Sequence, residues 1–262
     1  MTRRRFGRRA LSVTVFAFLT TTASIGGDVL PALAVTGGSE APAGSSPWIV
    51  SILVPDIVGR SHTCGGAILS PNKVLTAAHG VSGKVASDLT VKYGSLDRDT
   101  LVGSSSVRQV VIHSRYSAST GEADLAVLTL REPVQWDQTN FINLPPKGYD
   151  YKSNQPARVV GWGPTAPGGA IAQKLHSGTT KLVTKEVCAA NRLADHATTA
   201  DMVCSTARPV APCKGDDGGP LVVMDGQRAI VIGVAISRSC ADPNHPGVYT
   251  RTVPYIDWIN QS

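Results

Sequence analysis

The sequence predicts an all-β protein, built as a sandwich or as a pair of barrels, and three observations point there. Short runs rich in Val, Ile, Leu and Thr alternate with clusters of Gly, Pro, Asn, Asp and Ser, the spacing expected of strands and turns. No long segment carries apolar residues at a period of 3.6 except the very end. The 262 residues are 42% hydrophobic and 17% charged, which supplies one large or two small cores and excludes a chain disordered throughout.

In chain order, strands are expected at 48–53, 89–93, 107–112, 124–130, 157–161, 221–224 and 229–236, and a further strand contains Cys64-Gly65-Gly66. Each run is β-branched or aliphatic and is bounded by turn-forming residues. Segment 143–156 is rich in Pro, Gly, Lys and Asn and reads as a linker between two halves of similar size. Over 254–262, Tyr255, Ile256, Trp258 and Ile259 suit a short terminal helix.

The N-terminus reads as an export signal. Arg3, Arg4, Arg5, Arg8 and Arg9 form a cationic head, 11–25 is apolar, and Ala32-Leu33-Ala34 is the small-x-small pattern a signal peptidase accepts. The apolar stretch is shorter than the ~20 residues that span a bilayer, and the order of its zones fits a cleaved signal better than an anchor or a buried helix. The head also resembles a twin-arginine signal, which implies a bacterial source. Residues 1–34 hold five of the 25 basic residues and one of the 19 acidic ones, leaving 20 against 18 in the remainder. The mature part therefore has no charge argument for nucleic acid, and no membrane contact is expected of it once the signal is removed. All five cysteines (Cys64, Cys188, Cys204, Cys213, Cys240) lie in that part, where disulfides persist, and an odd count leaves at least one thiol unpaired. Neither a CxxC pair nor a His-rich tract suggests a metal site, and no cofactor is expected.

Three segments carry chemistry together: Thr76-Ala77-Ala78-His79, Asp124-Leu125-Ala126-Val127-Leu128, and Cys213-Lys214-Gly215-Asp216-Asp217-Gly218-Gly219-Pro220. With Val35-Thr36-Gly37-Gly38, Gly161-Trp162-Gly163, Pro246-Gly247-Val248-Tyr249-Thr250 and the end Tyr255-Ile256-Asp257-Trp258-Ile259, their order resembles the chymotrypsin/trypsin family of serine peptidases over nearly all of 35–262. The resemblance implies two six-stranded antiparallel β-barrels, at about 35–145 and 156–253, with the site in the cleft between them. It makes His79 the general base and Asp124 the residue that orients it.

The nucleophile departs from the pattern. The family reads Gly-Asp-Ser-Gly-Gly-Pro where this chain reads Gly215-Asp216-Asp217-Gly218-Gly219-Pro220. No shift of register recovers a serine, and no serine codon is one substitution from an aspartate codon. A carboxylate attacking a carbonyl yields a mixed anhydride and needs no base. Oxyanion binding alone, from the Gly215 and Asp217 N–H groups, retains ~10³ to 10⁴-fold over water. The resemblance thus implies a secreted pseudo-protease that binds a peptide or protein as a monomer. A weak peptide or ester hydrolase working through His79 and bound water is the alternative. A divalent-metal site at His79 and Asp217 is disfavoured, because Asp124 is committed to His79.

Further residues follow from the same resemblance. Ala235-Ile236-Ser237 replaces the usual Ser-Trp-Gly, removing a hydroxyl donor to Asp124. Ala211 stands at the pocket floor without a carboxylate, and Lys214, Ile236, Ser237 and Gly247 are expected around a small apolar pocket. Cys188 is expected to pair with Cys204 and Cys213 with Cys240. Gly80 occupies the position of the family's partner for Cys64, which is left as a buried free thiol. Cleavage after Ala34 would give Val35 an α-ammonium to pair with Asp216.

Overall fold

A computed structural model describes residues 35–135, 141–166, 168–190, 201–237 and 246–262. The expected signal segment lies outside these residues, as does Cys240. Six strands form a closed antiparallel barrel: β2 (Ile49–Asp56), β3 (Gly59–Ser70), β4 (Lys73–Thr76), β5 (Thr90–Tyr93), β6 (Gly103–Ile112) and β7 (Ala126–Leu130), in the order β2-β3-β4-β7-β6-β5. Seven more make a second antiparallel sheet: β1 (Ser39–Glu40), β8 (Pro156–Gly161), β9 (His176–Lys181), β10 (Met202–Ser205), β11 (Pro220–Asp225), β12 (Arg228–Ala235) and β13 (Gly247–Arg251), in the order β1-β9-β8-β11-β12-β13-β10.

The second sheet differs from the expected six-stranded barrel. It curls until its last strand meets the end of β9, where Leu182 bridges Ser205 and the Val183 N–H donates to the Cys204 carbonyl at 3.0 Å. Closure rests on that short contact instead of a full ladder, and the two-residue β1 is added on the outer side of β9.

Alternation along the strands explains why both faces of this architecture are apolar. On β2, Val50 and Ile52 point into the first barrel while Ile49 joins the central layer; on β7, Leu128 points inward and Val127 to that layer. On β11 and β12, Leu221, Val223, Ile230 and Ile232 fill the second sheet, while Val222, Val231 and Val234 face the layer they share with Leu75, Leu125 and Trp162. Strands buried on both sides read as continuous apolar runs, which is how they were legible.

The chain ends in a 3₁₀ turn (Val253–Tyr255) and helix α3 (Ile256–Gln261), which buries Tyr255 and Ile259 in the central layer. Lys73 Nζ donates to the carbonyls of Ile259 and Asn260 at 3.0 and 2.9 Å, placing a cation at the helix C-terminus. Two short helices among the described residues were not expected, α1 (Ala78–Val81) and α2 (Lys185–Ala190). α2 follows β9. Thr184 starts it by accepting from the Val187 N–H, and the Cys188–Cys204 disulfide ties it to β10.

Candidate active site

β4 feeds directly into α1 (Ala78–Val81), a single helical turn that carries His79 at the rim of the first barrel. Asp124, fully buried, grips it twice: the His79 backbone N–H donates to Oδ1 at 2.8 Å, and ring Nδ1 donates to Oδ2 at 2.6 Å. The backbone turns sharply ahead of β7 to present this carboxylate. Ala123 has φ +47°, and the Leu125 N–H bonds back to its carbonyl at 2.7 Å, a left-handed conformation that costs an alanine on the order of 1 kcal/mol.

Asp217 comes from a tight turn in which the Asp216 N–H donates to the Cys213 carbonyl and the Gly219 N–H to the Asp216 carbonyl. Gly218 has φ +76° there, and a Cβ on it would lie 2.5 Å from the Gly65 carbonyl, so only glycine fits. The Asp217 carboxylate meets three donors. His79 Nε2 is 3.3 Å from Oδ1, the Ser237 N–H donates to Oδ1 at 2.5 Å, and the Gly215 N–H donates to Oδ2 at 3.2 Å.

The imidazole of His79 therefore faces a carboxylate on each nitrogen. Burial alone would lower its pKa, but hydrogen bonds to Asp124 and Asp217 outweigh it and hold the ring up at about 10. At neutral pH it is an imidazolium donating from both nitrogens, with no lone pair to accept a proton.

Behind this turn lies Asp216, fully buried. Its Oδ1 accepts from the Gly163 N–H at 2.7 Å and its Oδ2 from the Cys213 N–H at 2.9 Å. Burial, only partly offset by these bonds and reinforced by the Asp217 charge, pushes its carboxyl up to about 7. A Cβ at Gly161 or Gly163 would sit 2.0 or 2.5 Å from this side chain, which accounts for both glycines of Gly161-Trp162-Gly163. The expected Val35 pairing is not present in the uncleaved chain. Val35 is joined to Ala34 by a peptide bond and has no ammonium, so backbone N–H groups hold Asp216 instead, and Val35 packs with Val210 and Leu221.

Sequence reasoning missed His62. On β3, buried, its Nε2 lies 2.9 Å from the Gly215 carbonyl and its Nδ1 2.7 Å from Ser51 Oγ. A carbonyl only accepts, so Nε2 carries the proton and Nδ1 accepts from the Ser51 hydroxyl. Burial lowers its pKa, keeping it neutral. A bulge between Ile52 and Leu53 interrupts the alternation on β3, so His62 faces away from the barrel interior that Cys64 joins. Its partner Ser51 is eleven residues away across a hairpin.

The cavity at the site, about 520 Å³, is bordered by His79, Asp217 and Gly215, and of the pocket residues named from the sequence only Lys214 lines it. Ala211 is buried and bridges Thr36, its N–H donating to the Thr36 carbonyl at 3.2 Å. Ile236 and Ser237 are buried too, the N–H of one bound to the Val248 carbonyl and that of the other to Asp217. A Cβ on Gly247 would lie 2.7 Å from Ser205 Oγ, so that position is filled by packing.

Of the cysteines, Cys188 and Cys204 are bridged with Cα atoms 5.5 Å apart, and Cys213 is disulfide-bonded while Cys240 lies outside the described residues. Cys64 is free and fully buried, and burial pushes its thiol up to about 12, so it is inert as a nucleophile. A Cβ built on Gly80 would lie 2.7 Å from its Sγ and 3.1 Å from its Cβ. Gly80→Cys should therefore close a new bridge over about 15 residues and stabilise the fold by roughly 2 to 3 kcal/mol. Non-reducing peptide mapping with urea unfolding checks this, and a variant with two free thiols would contradict the geometry.

A closed barrel and a curled sheet, with a His–Asp pair beside a glycine-rich turn, define the class of chymotrypsin-like proteins. The chain belongs to the trypsin family, whose model, described as Trypsin, matches residues 35–259. It is 33% identical to "Trypsin Blo t 3" of Blomia tropicalis over 86% of this chain and 84% of that protein. It is 32% identical to a trypsin of Phaedon cochleariae over 96% of both. To transmembrane protease serine 5 of Homo sapiens it is 33% identical over 87% of this chain, which spans about half (51%) of that protein's length.

Proposed function

We propose that this chain is an exported, proteolytically inactive member of the trypsin family that holds a peptide or protein partner without cutting it. The observation that carries the reading is the Asp217 carboxylate, bound at once to His79 Nε2 and to the Gly215 N–H. By resemblance, position 217 belongs to the nucleophilic serine. One substitution then acts three times over. It deletes the hydroxyl, fixes the base as an imidazolium, and fills an oxyanion donor with an internal negative charge. The alternative, hydrolysis by water activated at His79, needs a neutral ring, and the two flanking carboxylates oppose that.

Export fits the Arg-rich head and the Ala32-Leu33-Ala34 site. The mature chain is then a monomer starting at Val35, released by a cell that the twin-arginine-like head marks as bacterial.

The purified chain should take up no fluorophosphonate and cleave no peptide from a broad library, since both reactions need an activated hydroxyl. Stoichiometric labelling at any serine would overturn the reading. Asp217→Ser should restore at most weak labelling, because Ala235 still offers no hydroxyl near Asp124.

A further inference from the structure

The cleft continues into a second cavity of about 450 Å³, and the two share His62 and Ile171 as lining residues. Cations dominate this groove. Lys84 and Lys214 border the cleft cavity, and Arg60, Lys92 and Arg98 border the second. The carboxylates among the lining residues are Asp217, already held by His79, Gly215 and Ser237, and Asp99.

Most of this charge is left without a carboxylate partner among the described residues. Among the described residues none of Lys84, Lys92, Arg98 and Lys214 forms an ion pair with a carboxylate, although the rest of the surface pairs Lys147 with Asp257, Lys174 with Glu40 and Arg228 with Asp225. Arg98 Nε is buried without a hydrogen-bond partner. A buried guanidinium N–H without an acceptor is costly, so an acceptor supplied from outside would gain by filling it. Arg60, by contrast, is steadied by donating to the Asp88 carbonyl.

We propose that this groove binds an acidic segment of a protein partner, with Glu or Asp side chains meeting Arg98, Lys92, Lys84 and Lys214. This rests on the reading that the cleft binds without cutting, and it names the chemistry of what is bound. Apolar wall residues favour a peptide over a sulfated polysaccharide or nucleic acid. Leu53 and Leu101 line the second cavity and Ile171 both, which suits a segment that interleaves apolar with acidic side chains. On the same hairpin, two and three residues from Arg60, Val58 and Ile57 are wholly exposed, at 88% and 103%. Paired apolar side chains at a tip offer a protein partner contact area that a polyanion would not use.

The test uses the full chain and a labelled twelve-residue peptide alternating Glu with Leu, read by fluorescence anisotropy. Two comparison ligands are the same peptide with Gln for Glu and a heparin-derived octasaccharide. Binding of the Glu peptide should weaken roughly tenfold in Arg98→Gln/Lys92→Gln and again in Lys84→Gln/Lys214→Gln, and should fall steeply with added salt. A control, Lys152→Gln/Lys181→Gln, removes the same charge elsewhere and should leave the affinity unchanged. Equal binding of the Gln peptide, equal loss in the control, or binding of the octasaccharide alone would each overturn the proposal. Mass spectrometry of the recovered peptide separates the two readings: fragments refute inactivity, whereas an intact peptide that never bound refutes the acidic partner.

Discussion

In the native chain the His79 ring should remain protonated from pH 5 to beyond pH 8, and Asp217→Asn should lower its pKa by at least one unit, about 1.4 kcal/mol. The wild-type expectation follows from the two carboxylates at 2.6 and 3.3 Å. Burial pulls the other way, yet the balance lies near 10. Asparagine keeps the shape of Asp217 and removes its charge, so the shift isolates the second carboxylate from the first. The linkage has a definite sign. A histidine raised in the folded state contributes stability that is complete below its unfolded value near 6.5 and is lost as pH rises through the folded value near 10. Wild-type stability should therefore decline across that window, and Asp217→Asn should flatten the decline. An NMR titration that finds the ring neutral at pH 7, or unmoved by the substitution, would contradict this account.

The same pair shows what can be read without coordinates. His79, Asp124 and the 213–220 turn stood out because their motifs are local: each is a run of four to eight residues whose order is informative. The strands at 48–53, 124–130 and 229–236 were legible because both their faces are buried, which makes them continuous in Val, Ile and Leu. β9, reading His-Ser-Gly-Thr-Thr-Lys, and the Gly-rich β3 carry no such pattern. β9 pairs on one side with β1, far away in the chain, while β3 forms tight hairpins with β2 and β4. The Gly215–His62–Ser51 relay was hidden because it joins residues 153 and eleven positions apart. Family position alone also cannot report that Ala211 is engaged with Thr36 or that the Ser237 N–H is taken by Asp217. Both are backbone hydrogen bonds, invisible in side-chain identity.

Cleavage before Val35 should reverse the pH dependence that Asp216 imposes on stability. In the uncleaved chain this carboxyl is buried against two backbone N–H groups and is raised to about 7. Unfolded, it would ionise near 3.9. The folded state then binds the extra proton between those values, so the contribution of Asp216 is fully present below about pH 4 and is lost as pH rises through about 7, up to roughly 4 kcal/mol as an upper bound. An α-ammonium delivered to the same carboxylate would favour its charged form and drive the pKa below the ordinary value. The contribution would then be present above the unfolded value and lost on acidification. The clean comparison is between a chain starting at a free Val35 and the same chain acetylated there, which removes one charge and little else. Urea unfolding at pH 5 and pH 7.5 should show the free-amine form gaining on the acetylated form by about 2 kcal/mol or more as pH rises. Val35 is already buried beside Val210 and Leu221, so its side chain has to be repacked for the amine to reach Asp216. Identical pH profiles for the two forms would mean that this repacking does not occur and that the Gly163 and Cys213 N–H groups remain the only partners of the carboxylate.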